Sequence, residues 1–234
     1  FRRKKVSKNI LFIGNSYTHT YSMPDMVRKI AASKQLKVNV EIDALSGHTF
    51  KMHCVRPELF EHIKSKKWDL VILQGFSQEL SYSLDHIDKE TVPYIRKIIQ
   101  AIQENDTDTE ICLYQTWGYN NGYADRYEID TFEKMTTAIQ SGYAHLAQLF
   151  TLKVIPVGTV WKEAKENTNL DLYAEDGQHP SVIGSYLVAC AFYSAIFNKS
   201  AEGAYFDRRV GKSTALQLQK IAHSVISNQK KNQV

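Results

Sequence analysis

Short, fully apolar runs alternate with segments of helical spacing along most of the chain. Ile10-Leu11-Phe12-Ile13 is apolar at every position and stops at Gly14, which predicts a strand buried on both faces. Val38–Ile42 alternates polar and apolar residues and predicts a second strand. Asp69–Gln74 reads as a third, buried strand, Glu110–Thr116 as a fourth and Lys153–Val157 as a short fifth. Helical spacing fills the intervals. Met26, Val27 and Ile30 follow Ser22, a candidate N-cap with Asp25 three residues later. Val92, Ile95, Ile98, Ile99 and Ile102 mark another helix, and Tyr127–Phe150 a long one. Pro180 through Phe197 reads as an apolar helix and Gly211–Asn228 as a more polar one.

Buried strands alternating with helices mean parallel βαβ units. Five of them predict a three-layer α/β/α sandwich with a flavodoxin-like, mainly parallel five-stranded sheet and Ile10–Ile13 at its centre. One domain is expected over residues 8–228, with a basic flexible tail at 1–7 and a flexible tail at 229–234. Ligands in such sheets bind at the carboxyl ends of the strands. Chemistry is therefore expected at Gly14–Thr18, Ser46–Thr49, Gln74–Glu79 and Thr116–Asn121.

Composition narrows the partners. Hydrophobic residues make up 43% and charged residues 23%, ordinary globular values that exclude a fibrous or wholly disordered chain. No apolar run is long enough to predict a membrane span. The net charge is +4, and Arg2, Arg3, Lys4 and Lys5 account for all of it. A nucleic-acid reader carries its basic face on the folded body, so no nucleic-acid partner is expected and the basic tail reads as solvated. Cys54, Cys112 and Cys190 form no paired motif and read as buried thiols. The chain starts at Phe1 and not at Met. The native start, with any signal peptide, is thus expected to be missing, which suits a periplasmic or secreted protein without fixing the compartment.

Ser16 lies two residues past the first strand, in Gly14-Asn15-Ser16-Tyr17-Thr18, just before a helix. That is a place for a nucleophile, and equally for a helix-capping hydroxyl. Serine chemistry needs a base for the hydroxyl proton and an acid to orient that base. At the far end of the chain, Asp176-Gly177-Gln178-His179-Pro180 supplies both residue types three apart in a loop, and Pro180 keeps His179 out of the following helix. Thr18 breaks the GxSxG pattern of an α/β-hydrolase elbow. Gly211-Lys212-Ser213 lacks the earlier glycine of a phosphate loop. His48, His53 and His62 lack metal-site spacing, so no metal is expected there.

The two end blocks together resemble the SGNH hydrolase, or GDSL-type esterase, superfamily, and in particular its carbohydrate-esterase branches. The first block, Ile10 through Thr18, resembles the nucleophile block with Ser16 as nucleophile. The last, Asp176 through His179, matches that family's Asp-x-x-His, and the likeness spans roughly residues 8–198. The resemblance implies an oxyanion hole from the Ser16 and Gly47 N–H groups and a third-block amide. The family's usual Asn is absent there; Gln74 carries the same amide and takes the role, with Asn120 and Asn121 as substitutes. Asn15 stands where the family often has Asp, and is expected mainly to shape the turn.

The implied activity is hydrolysis of carboxylic esters by Ser16, His179 and Asp176, with no metal or organic cofactor. Tyr114, Trp117, Tyr119, Tyr123 and Tyr127 cluster after the fourth strand. Flat aromatic faces suit sugar rings, so Trp117 and Tyr119 are the expected substrate contacts, in a small-molecule or glycan ester. Removal of acetyl or other short acyl groups from a carbohydrate is the favoured activity. A catalytically silent glycan-binding module of the same fold and a lipid esterase or thioesterase are the alternatives. The oligomeric state stays open.

Overall fold

A computed structural model of the chain describes residues 7–231. Five strands form one sheet: β1 (Lys8–Gly14), β2 (Val38–Ala44), β3 (Leu70–Leu73), β4 (Glu110–Tyr114) and β5 (Lys153–Ile155). All pairings are parallel, in the flavodoxin-like order β2-β1-β3-β4-β5, so the middle strand is β3 and the expected central strand, Ile10–Ile13, lies one place from it. Ile13 pairs with Asp43 and Leu73, and Leu73 with Leu113. Four strands therefore end at one rim, and the residues after Gly14, Ala44, Leu73 and Tyr114 share it.

Ten helices accompany the strands among the described residues. In chain order they are α1 (Ser16–His19), α2 (Met23–Ser33), α3 (Phe50–Cys54), α4 (Pro57–Lys64), α5 (Leu84–Glu90), α6 (Val92–Asn105), α7 (Phe132–Phe150), α8 (Val157–Asn167), α9 (Val182–Phe197) and α10 (Lys212–Lys231). Helices α2, α8, α9 and α10 pack together on one face; α3 to α7 cover the other. Helix α9 is buried from Gly184 through Ser194 because neighbours cover it on all sides. Its Phe192 ring meets Phe12 and Tyr114 edge-on, at 5.1 and 4.7 Å between centroids. No helix among the described residues is long and apolar enough to cross a membrane.

Several boundaries differ from the pattern, each for a local reason. Ser22 does not cap α2: its backbone is left-handed, at φ 53°, and its side chain makes no cap bond. Asp25 pairs instead with Arg28 and Lys29 on its own helix. The long helix expected from Tyr127 begins at Phe132, where the Thr131 side chain accepts the Lys134 N–H. The fifth strand stops at Ile155; Pro156 ends it and Val157 opens α8. Helix α8 buries Val157, Val160, Trp161 and Ala164, a spacing present in the sequence but assigned to no helix there. Of the expected tails, residues 1–6 and 232–234 lie outside the described residues, whereas 229–231 continue α10.

Candidate functional site

The site is built on the rim from the β1–α1 turn outward. Asn15 is extended, at φ −137°, and its side chain accepts the Tyr17 N–H at 3.1 Å, capping α1. That leaves Ser16 as the first helical residue with its hydroxyl facing out. Ser16 Oγ lies 2.8 Å from His179 Nε2, and His179 Nδ1 lies 2.5 Å from Asp176 Oδ2. The other Asp176 oxygen accepts the Gln178 and His179 N–H groups, both at 2.9 Å. Partial burial pushes the Asp176 carboxyl up, but bonds from the His179 ring and these N–H groups outweigh it and hold the carboxyl below its ordinary value. Asp176 is therefore ionised at neutral pH and fixes a proton on His179 Nδ1, leaving Nε2 to accept from the Ser16 hydroxyl.

The loop that carries Asp176 and His179 is closed on itself. The Ala174 N–H bonds the His179 carbonyl at 2.8 Å, and Tyr173 bridges Pro180. From β4, the Asn120 N–H donates to the Gly177 carbonyl at 2.8 Å. Aromatic rings support it from below. The His179 ring stands edge-on to Tyr17, at 5.5 Å between centroids. Tyr17 stacks on Trp117 at 4.6 Å, and Trp117 stacks on Trp161 at 3.9 Å.

That stack corrects the substrate role expected for Trp117. Its side chain is fully buried between two rings, and its indole N–H donates to the Gln178 carbonyl at 3.2 Å. It supports the His179 loop and cannot meet a sugar. Tyr119 is also buried, with its hydroxyl 2.7 Å from Ser77 Oγ and 3.1 Å from Gln78 Nε2. It reaches only the edge of a cavity of about 260 Å³ beside Asp176, which Asn121, Tyr123 and Asp125 also line.

Gln74 requires a second correction. It is fully buried, and both its amide N–H groups are engaged, one with Asn15 Oδ1 at 2.9 Å and one with the Gly75 carbonyl at 2.5 Å. Its oxygen accepts the Asn15 N–H at 3.0 Å and the Thr18 hydroxyl at 2.8 Å. An amide with every donor occupied has none left for an oxyanion. Gln74 instead grips the turn that presents Ser16. Gly14 makes the grip possible, since a Cβ there would stand 2.5 Å from both Gln74 Oε1 and Thr18 Oγ1.

Asn15 is the other half of this grip. Its amide nitrogen donates to the His48 and Gly75 carbonyls, both at 3.3 Å. A carboxylate at that position would face two carbonyl oxygens, which is why the amide stands here. The bond to His48 also ties the β2–α3 loop to the nucleophile turn. Gly47 sits in that loop at φ +73°, exposed, with open space where a Cβ would be. Its N–H makes no hydrogen bond to another described residue, nor does that of Ser16.

His53 supports the turn from beneath, a role the sequence pattern does not single out. It is fully buried, and its Nε2 bonds the Gly14 carbonyl at 2.7 Å while Arg56 approaches its Nδ1 at 3.1 Å. Burial, with the Arg56 charge beside it, lowers its pKa from 6.5 to about 4. A depressed histidine contributes stability that is complete above pH 6.5 and lost as pH falls through about 4. The loss is about 3 kcal/mol. The Glu79 carboxyl, pushed up to about 7 by burial, slopes the other way. The check is therefore the difference between urea-unfolding free energies of wild type and His53→Gln. The gap should close by about that amount across the window; parallel curves would contradict a buried neutral His53.

Solved structures share this fold over most of the chain. The chain belongs to the DUF4886 family, a domain of unknown function, whose model matches residues 8–225. A DUF4886 protein from Bacteroides uniformis aligns at 20% identity with a TM-score of 0.82, covering 94% of this chain and 95% of that one. A protein of Slackia heliotrinireducens described as a candidate SGNH hydrolase aligns at 24% identity and TM-score 0.62, over 82% of this chain and all of the other. An acetyl xylan esterase of Geobacillus stearothermophilus aligns at 19% identity and TM-score 0.56, over 81% and 95%. No curated protein matches the chain in sequence.

Proposed function

We propose that this protein is a serine esterase that removes acetyl or other short acyl groups from a carbohydrate. The observation that carries the reading is the unbroken chain from Ser16 Oγ through His179 to Asp176, at 2.8 and 2.5 Å. His179 Nε2 takes the Ser16 proton as Oγ attacks the ester carbonyl. Asp176 stabilises the resulting imidazolium and holds its tautomer. The carbonyl oxygen gains the charge and is met by the Ser16 and Gly47 N–H groups, which make no hydrogen bond to another described residue. Asn120 and Asn121, in the loop after β4, carry the side-chain amides for a third bond. His179 then gives its proton to the leaving alcohol, and a water molecule, deprotonated by the same ring, releases the acyl group from Ser16.

A short acyl group suits the surroundings. The cavity beside Asp176 is small and lined by polar groups. A much larger cavity of about 900 Å³ runs along the β5 edge of the sheet, between β5 and helices α7, α9 and α10. None of its lining residues belongs to the nucleophile turn or the His179 loop, so it offers no groove for a fatty acyl chain on Ser16. Sugar as the alcohol side rests on the Geobacillus esterase sharing the fold and on Tyr123 at the edge of the small cavity.

A p-nitrophenyl ester series of rising chain length tests the reading, together with acetate release from acetylated xylo-oligosaccharides. Acetate is expected to turn over fastest, with rates falling as the chain lengthens. Preference for long chains would assign a lipid esterase or thioesterase. Absence of turnover with any ester, alongside glycan binding, would assign a silent binding module.

A further inference from the structure

We propose that Glu79 is a positioning residue for the ester hydrolysis inferred above: its buried carboxylate clamps together the two rim segments that flank the oxyanion position. Glu79 Oε1 and Oε2 accept the Phe50 N–H at 3.1 and 3.2 Å, and Oε2 accepts the Phe76 N–H at 2.9 Å. Phe50 follows Gly47 by three residues, and Phe76 follows Gln74 by two. The two segments come from different strands, β2 and β3, and this carboxylate joins them directly. Gly75 lets the chain pass close by, since a Cβ there would stand 3.2 Å from Oε2.

The donor set selects the charged form. The Phe50 and Phe76 N–H groups can only donate, so the ionised carboxyl, an acceptor at both oxygens, fits them best. Burial opposes ionisation and the N–H bonds favour it, which leaves the group titrating at about 7. A cavity of about 490 Å³ opens over it, so protons can reach it. Its walls bring Lys51 from α3, Gln78 from the β3 loop, and His86, Lys89 and Glu90 from α5. Lys51 pairs with Glu90, and no cation forms an ion pair with Glu79 among the described residues. From α7, the Tyr143 hydroxyl accepts the Gly75 N–H at 3.1 Å; burial raises that phenol, and the Glu79 charge adds to the rise. Protonating Glu79 removes the charge and turns one of its acceptor lone pairs into an O–H donor that neither N–H can accept. The segments carrying Gly47 and Gln74 then loosen together.

The proposal rests on the esterase reading, and the test separates the two. Wild type and Glu79→Gln are assayed with p-nitrophenyl acetate from acid to alkaline pH, and amide hydrogen exchange is measured at Phe50 and Phe76. Glutamine copies the protonated acid. At alkaline pH the variant is expected to lose roughly tenfold or more in kcat with KM nearly unchanged, because the oxyanion contacts strengthen in the transition state. The wild-type to variant ratio is expected to shrink towards one as pH falls well below 7, where wild type carries the proton too. Exchange at both amides is expected to speed up in the variant. A ratio constant with pH, or unchanged protection of Phe50 and Phe76, overturns the clamp. If Glu79→Gln does not fold, wild type alone decides: protection at both amides, corrected for intrinsic rates, must fall along the acid limb of kcat. A wild type inactive on every ester overturns the esterase reading alone, since the exchange measurements still judge the clamp.

Discussion

Ser16→Ala is expected to lower ester turnover by roughly 10⁴-fold or more, the scale seen when a serine nucleophile is removed. Its thermal midpoint is expected to stay within about 1 °C of wild type, since an ordinary surface substitution costs little. Both halves follow from the geometry. The Ser16 hydroxyl bonds only His179 Nε2 among the described residues. The cap of α1 is the Asn15 side chain, so the helix keeps it when the serine goes. Alanine therefore removes the group that forms the covalent bond and leaves the turn standing. An active-site phosphonate probe should label wild type and not the variant. Turnover in Ser16→Ala within tenfold of wild type would sink the nucleophile assignment, and with it the roles given to His179 and Asp176.

Gln74→Leu separates a scaffold from an oxyanion donor. Leucine fills much of the same space but leaves the Asn15 N–H and the Thr18 hydroxyl without their buried acceptor. Each orphaned buried group costs about 1–3 kcal/mol. A total of about 3 kcal/mol lowers the midpoint by roughly 6–12 °C in a domain of this size. Turnover falls as well, because the turn holding Ser16 loses its grip. A donor aimed at the oxyanion would behave differently: kcat would drop by roughly 100- to 1,000-fold with the midpoint unmoved. Calorimetry beside kinetics decides. An unmoved midpoint would return Gln74 to the oxyanion hole and remove the scaffold role argued here.

Much of the fold is legible in the residue pattern for a plain reason. A strand buried on both faces has to be apolar at every position, and Ile10–Ile13 and Leu70–Leu73 are. A parallel sheet follows from the helices between them, and its common rim follows from parallel pairing. Ser16, Asp176 and His179 are singled out by the resemblance of the two end blocks to the SGNH hydrolases, since their positions alone fit a cap and a surface loop as well. The pattern failed where a local signal had two meanings. Ser22 precedes an apolar helix as a cap does, but its left-handed backbone turns the side chain away. Trp117 lies in an aromatic cluster beside the site, as a sugar platform does, but stacking between Tyr17 and Trp161 buries it.

The sequence by itself determined which segments are buried, that their strands run parallel and which strand ends form one rim. All of these depend on periodicity along single elements or on the ends of strands. Only the tertiary structure decided what Gln74, His53 and Glu79 do. Each is a polar side chain near a strand end, free by its residue type to face solvent, substrate or core. The choice is made by partners distant in sequence: Asn15 for Gln74, Gly14 for His53, Phe50 for Glu79. A buried polar group goes where its hydrogen bonds can be completed, and that place exists only once separate strands have been set side by side.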